Sequence, residues 1–476
     1  MQGFHSSTVW LILLLCGTAY PLRANVDGIA PGVPEPDRRN VIVQLFNWPF
    51  SEITKVLPDL RKLGYSHVHV SPAQFSNERV WQWWGRYQPI DFSSIQGPLG
   101  NEDEFRKMNA EADRQGIRII ADVVLNHMVH LRDMEPGFVT FNGNKIATEK
   151  FPQFNPDDFH PRCGIDENDI TSVRVCWLEN ANVDLKTESP RVRKIAQDYL
   201  KKLVALGVDG FRFDAAKHIE PSFFAAVLAA VPNTYALGEV ITRDPRSLPR
   251  TEAIDFYDFP LVATMKEAFK RDGRLSLLKN PASNNLALPG TKAVTFVRNH
   301  DIDRGQARDR GLENEGSQNI FGVGWTGVNS PLSEADIILA YAYILGREDG
   351  LPYVFVDMPT RTRNDKRKDR YDDKRLAAFI RFHNLCLPGQ DDVDRRKDIF
   401  LDLKSQNAIG WQRGTDRLVL INKAAEPLPI RDLRTTLKPG RYIEVHKGWP
   451  LDVQSDQKIR EWNVPGQTAA MFVPQP

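Results

Sequence analysis

The sequence predicts an α/β chain: a (β/α)8 TIM barrel with an inserted subdomain after strand 3 and a C-terminal antiparallel β-sandwich domain. Three observations carry that expectation. Short apolar runs rich in β-branched residues alternate with segments of helical period from Val41 to Leu387, the pattern of a parallel sheet covered by helices. One connection, from His127 to Arg191, is far longer than the rest and lacks a strong helical pattern, as an insertion would. After about residue 392 the helical period stops, and short strand-like runs separated by turn residues take over.

The elements follow in order. Val9–Cys16 (VWLILLLC) is an apolar run too short to span a bilayer, followed by Gly17, Thr18 and Ala19; residues 1–24 read as a secretory signal peptide and the chain as secreted. Residues 26–40 are rich in Pro and Gly and form an exposed lead-in. The strand-like runs are VIVQLFNW (41–48), HVHVSPA (67–73), RIIADVVLNH (118–127), VDGFRFDAA (208–216), YALGEVI (235–241), AIDFYDF (253–259), AVTFVRNHD (293–301) and LPYVFVD (351–357). A helix is expected after each. Ser189 and Pro190 supply a cap and a first-turn proline for the helix over 189–207. The division is 25–127 with 185–392 for the barrel, 128–184 for the inserted subdomain, and 393–476 for the C-terminal domain, with strands at NAIGWQRG, DRLVLINKA, RYIEVHKG and TAAMFVP. The charge run RTRNDKRKDRYDDKR (361–375) mixes both signs and reads as a solvated loop.

Composition narrows function by exclusion. Lys and Arg number 62 against 61 Asp and Glu, a net charge of +1, so no excess of positive charge exists for a nucleic-acid partner. Nothing after the leader is long and apolar enough for a membrane helix. The chain is 41% apolar and 10% aromatic, which suits a large core and leaves aromatic rings for stacking. Cys163 and Cys176 lie close together in a loop-rich stretch and can pair in an oxidising compartment. Cys386 is then the odd thiol, expected to be buried and free.

In such a barrel, chemistry sits at the C-terminal ends of the strands. Those positions hold Asn126 and His127, Arg212 and Asp214, Lys217 and His218, Glu239, then Asn299, His300 and Asp301. Each acid alone could be a helix cap; three acids converging on one mouth beside three histidines point to catalysis. Glycoside hydrolysis needs a carboxylic acid to protonate the leaving oxygen and a carboxylate to attack or support the anomeric carbon. Arg212 precedes Asp214 by two residues, so strand alternation points both the same way, and its guanidinium is expected to hold Asp214 ionised. Glu239, within an apolar run, is expected to have the raised pKa of the general acid. In WQWWGRYQPIDF (81–92), Trp83, Trp84 and Tyr87 offer sugar-stacking faces and Gln88 a hydrogen-bonding handle, against the alternative that the aromatics are core.

The segments DVVLNH (122–127), GFRFDAAKH (210–218), LGEV (237–240) and FVRNHD (296–301) resemble, in order, the four signature segments of the α-amylase family of glycoside hydrolases, and WWGRYQP resembles its cleft aromatic element. The resemblance implies Asp214 as nucleophile, Glu239 as general acid/base and Asp301 as the third acid. It implies Arg212 as the residue orienting the nucleophile, His127 and His300 as sugar contacts, and Lys217 and His218 as contacts on the leaving-group side. It also implies Ca2+, held by Asn126, Asp184, the carbonyl of His218 and a carbonyl at Arg174. Animal-type members bind chloride as well, through an Arg and an Asn matched by Arg212 and Asn299, but Tyr353 stands where their second base would be, which argues against chloride. The implied partner is an α-glucan polysaccharide, cleaved within the chain at α-1,4 bonds by a monomer with retention of configuration. A glucan transferase or oligosaccharide-specific hydrolase would use the same acids, and an inactive carbohydrate-binding relative would have lost one.

Overall fold

The computed structural model describes residues 40–77, 83–130, 138–141, 144–147, 151–302, 332–357, 370–387 and 398–475. The leader, most of the lead-in and residues 361–369 of the charge run lie outside them. Eight parallel strands close into a barrel: β1 (Val41–Phe46), β2 (Tyr65–Val70), β3 (Arg118–Val123), β4 (Gly210–Phe213), β5 (Tyr235–Gly238), β6 (Asp255–Tyr257), β7 (Ala293–Phe296) and β8 (Leu351–Asp357), each beside its sequence neighbour, with β8 returning to β1. All eight coincide with the apolar runs of the sequence. These strands are buried on both faces, so most of them carry apolar residues on both rather than alternating.

Helices α1 (Phe50–Leu63), α2 (Glu102–Gln115), α3 (Pro190–Ala205), α4 (Pro221–Leu228), α5 (Phe259–Phe269), α6 (Glu334–Gly346) and α7 (Lys374–Leu385) cover the barrel. In α1 the buried residues Phe50, Ile53, Leu57 and Leu60 form one helical stripe. Gly64 ends it at φ +93°, a left-handed conformation that returns its N–H to the last-turn carbonyls. A capping box between Asn101 and Glu104 starts α2. Ser189 and Pro190 do open α3, but the Ser189 hydroxyl makes no cap bond. The expectation of a helix after every strand fails once. Between β5 and β6 there is only a 3-10 turn, Pro245–Ser247, because VITRDPRSLPRTEA carries two prolines and no apolar stripe.

The long connection after β3 opens and closes as a two-stranded ribbon in which His127–His130 pairs antiparallel with Asn182–Asp184. Between them lie a second ribbon, Phe138–Phe141 with Asn144–Ala147, a short helix, Ile170–Val175, and a disulfide joining Cys163 to Cys176. Cys386 is a buried free thiol.

The C-terminal region consists of β9 (Asp398–Leu401), β10 (Ala408–Arg413), β11 (Arg417–Asn422), β12 (Leu428–Arg434), β13 (Gly440–Glu444), β14 (Pro450–Val453), β15 (Lys458–Val464) and β16 (Thr468–Pro474). Six form one antiparallel sheet in the order β9-β10-β11-β16-β13-β14, and β12 pairs with β15. Leu418, Leu420 and Phe472 of the larger sheet share an apolar core with Ile430 and Ile459 of the smaller. The outer side of the sheet is welded to the barrel. Trp411, Val419, Ile421 and Met471 belong to the same apolar core as the barrel strands. The Trp411 indole donates to the Gly346 carbonyl at 3.1 Å and Arg413 to the Arg347 carbonyl at 3.2 Å, at the end of α6. Lys423 donates to the carbonyls of Ala268, Gly273 and Lys270, at the end of α5. These carbonyls lack partners within their own helices, and a cation there also meets the negative end of the helix dipole. Gly346 is required by this contact, since a Cβ would come within 2.9 Å of the Trp411 ring.

Candidate active site

Strand register builds the floor of the site. Arg212 on β4 and Asp122 on β3 are register partners, both wholly buried, and Arg212 NH1 lies 2.9 Å from Asp122 Oδ1. Two residues along β4, Asp214 extends past the strand end and places Oδ1 2.7 Å from the same NH1. Glu239, just beyond β5, places Oε1 2.6 Å from Arg212 NH2, although neither atom has hydrogen-bond geometry. One guanidinium thus spans three acids. Asp301, after β7, completes the group. Its Oδ2 accepts from Asn299 at 3.1 Å, and its Oδ1 lies 3.4 Å from His300 Nε2.

The charge distribution departs from the expectation that Arg212 keeps Asp214 ionised. Burial pushes Asp214 up to about 8; Arg212 offsets this only in part, and the negative charges of Glu239 and Asp122 add to it. Arg212 is shared: against the upward push of burial, Arg212, His69 and His300 draw the Asp122 carboxyl down to about 2. Asp301 is pushed well above the usual carboxylate range by burial and by Glu239. Developing positive charge at an anomeric carbon would act against the upward push on Asp214 and Asp301.

His300 is held between parallel rings, Phe46 at 4.4 Å and Tyr87 at 5.3 Å between centroids, with Gln44 Nε2 3.3 Å from its Nδ1. Tyr87 donates its hydroxyl to Asp122 Oδ2 at 3.0 Å, so its ring faces the site while its tip is spent on the floor. Trp83 packs edge-on to His300, Phe46 and Trp84, and both tryptophans are half-buried. The stretch Trp83–Tyr87 is a 3-10 helix rather than a loop. Gln88 is not free to meet a sugar through its carbonyl: Oε1 accepts from Asn77 at 2.9 Å and from the His130 amide at 3.4 Å, tying the aromatic segment to the insertion.

His127 is buried beside this segment with Nε2 3.1 Å from the Tyr87 carbonyl, and burial lowers it to about 4. Lys217 at the rim pairs with Glu167 of the insertion. His218 is buried, its Nδ1 2.9 Å from the Val173 carbonyl, which places it against the helix that carries Arg174.

The Asn126 amide donates to Asp184 Oδ1 at 3.2 Å and both are buried. Asp184 Oδ2 meets His160 Nδ1 at 2.7 Å. Among the described residues no three His, Cys, Asp or Glu side chains are grouped to hold a metal. The set implied for calcium contains only one carboxylate; its other donors are an amide oxygen and backbone carbonyls, hard oxygens that suit Ca2+. Asn126 and Asp184 are in contact, and His218 sits against the residue before Arg174, so the set fits the ion.

Sequence reasoning named neither Asp122, His69 nor Gln44 as site residues. The signal was available: each is a buried polar residue within a barrel strand.

Comparison with known proteins decides the family. The profile described as "Alpha amylase, catalytic domain" matches residues 50–147. An α-amylase of Aeromonas hydrophila is 31% identical over 424 residues, covering 81% of this chain and 84% of that protein. The chain belongs to the α-amylase family of glycoside hydrolases. A further α-amylase, from Streptomyces violaceus, is 27% identical over 93% of this chain and 75% of its own length. Among solved structures, a mutant of α-amylase I from Eisenia fetida in complex with maltohexaose shares the α-amylase fold at a TM-score of 0.75 and 24% identity, covering 93% of this chain and 98% of that one. The family assignment agrees with the site being at the C-terminal mouth of the barrel.

Proposed function

We propose that the chain hydrolyses α-1,4-glucosidic bonds within starch- or glycogen-type glucans, with retention at the anomeric carbon. The observation that carries this reading is the convergence of Asp214, Glu239 and Asp301 around Arg212. Asp214 attacks the anomeric carbon and forms a glycosyl-enzyme. Glu239 protonates the departing oxygen and then takes a proton from the incoming water. Asp301 and His300 grip the sugar hydroxyls as the ring flattens. Trp83, Trp84 and the Tyr87 ring supply the stacking wall, and His127, Lys217 and His218 line the approach. The maltohexaose bound by the Eisenia fetida structure is a substrate of the expected class.

Calcium is part of the same proposal. The Asn126 amide oxygen, the Asp184 carboxylate and the carbonyls of Arg174 and His218 would hold it, where it would tie the insertion to the barrel. The leader reading makes the enzyme secreted.

The deciding experiment is product analysis on soluble starch. The expected result is a ladder of short maltooligosaccharides born in the α configuration, with Glu239→Gln reduced by at least ~10³-fold. Absence of new reducing ends with the wild-type protein, or a Gln variant as active as wild type, would overturn the reading.

A further inference from the structure

Beneath the acids lies a circuit of buried polar side chains, of which the reaction above uses only Arg212. The Tyr353 hydroxyl on β8 is 2.7 Å from His69 Nδ1 on β2. His69 Nε2 is 3.5 Å from Asp122 Oδ2, and Asp122 holds Arg212. Tyr353 also packs edge-on against Tyr257 of β6, ring centroids 5.2 Å apart, and the Tyr257 ring lies 5.9 Å from the Arg212 guanidinium carbon. Tyr353, His69, Asp122, Tyr257 and Arg212 are all 1% exposed or less.

This circuit has only one comfortable proton arrangement. The charged atom that His69 Nε2 faces is the Asp122 carboxylate oxygen, at 3.5 Å. A bare Nε2 lone pair would be set against that negative charge without water to relieve it. A proton on Nε2 is attracted instead, which leaves Nδ1 as an acceptor for the Tyr353 hydroxyl. The donors then run in one direction, from Tyr353 to His69 and on toward Asp122. Removing one hydroxyl reverses or frees the imidazole without altering the packing of the rings.

We propose that His69 and Tyr353 are positioning residues for the glycosidic hydrolysis: by presenting an N–H to Asp122 they fix that carboxylate, and through it they hold Arg212 where it contacts both Asp214 and Glu239. The proposal rests on the hydrolytic reading above and goes beyond it by assigning a function to two residues that touch no substrate. The groups facing His69 are Asp122 from β3, Arg212 from β4, Glu239 from beyond β5 and Tyr353 from β8; β1 contributes only the uncharged Gln44, its register partner.

The test uses the full-length protein. Tyr353→Phe keeps the ring and is expected to lower kcat on maltooligosaccharides by ~10-fold or more with KM within ~2-fold. Loosening Arg212 leaves Asp214 less well supported as an anion, so the acidic limb of the kcat profile moves to higher pH by about half a unit. His69→Leu should reproduce both effects, and Tyr353→Phe should add little in that background, because the two act in series. His69→Gln, which keeps an N–H donor, should recover most of the loss. The proposal is overturned if Tyr353→Phe has the wild-type kcat and pH profile, if the effects of Tyr353→Phe and His69→Leu simply multiply, or if kcat falls only in proportion to a loss of folded protein read by circular dichroism. Wild-type and Glu239→Gln activities run alongside separate the two levels. An inactive wild type removes both readings. An active wild type, an inactive Glu239→Gln and an indifferent Tyr353→Phe remove this one alone.

Discussion

Arg212 and Asp122 stand opposite each other on adjacent barrel strands and meet at 2.9 Å in an interior that neither leaves for solvent. Breaking such a pair from one side is costly because the surviving charge stays buried. Arg212→Met is therefore expected to lower the unfolding free energy by about 3–5 kcal/mol, and Asp122→Asn introduced into that variant should return a large part of it. Urea denaturation of the three proteins reads this. Equal stability of Arg212→Met and wild type would show that the pair is not strained by the loss.

A second prediction concerns pH and lies away from the site. Asp398, its side chain 13% exposed, sits on β9; loss of solvent pushes it up to about 7, with Arg413 offsetting only part. Its folded pKa exceeds its unfolded value, so the folded state keeps a proton that the unfolded state releases. Stability from this group is full below about pH 4 and is lost as pH rises through 7. Asp398→Asn should match wild type at pH 4 and exceed it at pH 8 by at least ~1 kcal/mol, measured as Tm across that range. A variant less stable than wild type at pH 8 would contradict the sign.

Trp84 touches Trp83 edge-on and remains half-buried at the mouth. Trp84→Ala should raise KM for soluble starch by ~2–10-fold, as loss of a stacking contact would, with kcat changed much less. A large fall in kcat with KM constant would place Trp84 in the chemistry instead.

Removal of calcium should separate the insertion from the barrel. A chelator is expected to lower Tm and added Ca2+ to restore it, while Asp184→Ala should have a low Tm that no longer responds to Ca2+. Scanning calorimetry with and without the ion reads both, and a wild-type Tm indifferent to chelation would remove the proposed site.

The Cys163–Cys176 bond closes a loop with a sequence separation of 13. A loop of that size is worth about 3 kcal/mol to the segment it closes. Replacing both cysteines by serine should expose residues 155–180 to limited proteolysis while leaving the barrel's own cleavage resistance nearly unchanged. Unaltered cleavage would show that the loop is held by its other contacts.

The sequence was most informative where burial is uniform. Barrel strands such as Val41–Phe46 are enclosed on both sides, so their apolar run has no other explanation, and the acids that end β4, β5 and the segment after β7 stand out against it. Legibility failed where one face is wet. Leu428–Arg434 and Lys458–Val464 are strands, but LPIRDLR buries only Ile430 and KIREWNV only Ile459 and Val464, so both read as polar loop. It failed differently for Tyr353 and His69. A tyrosine or histidine in a barrel strand is an ordinary core residue until the strands on either side of β1 bring the two within 2.7 Å. The sharing of Arg212 among three acids was likewise hidden, since alternation gives the direction of a side chain and not the number of its claimants.

The contacts of Trp411, Arg413 and Lys423 with the ends of α5 and α6 bear on how this protein can be taken apart. Chain carbonyls at two helix ends find their donors in a sheet that begins more than fifty residues later in the sequence. A gene cut at the start of β9 would therefore not release a self-sufficient barrel, and a sheet transplanted from a relative would have to bring the indole and both cations at the same positions. The two regions form one heritable unit, in which a change at Gly346 must be answered at residue 411.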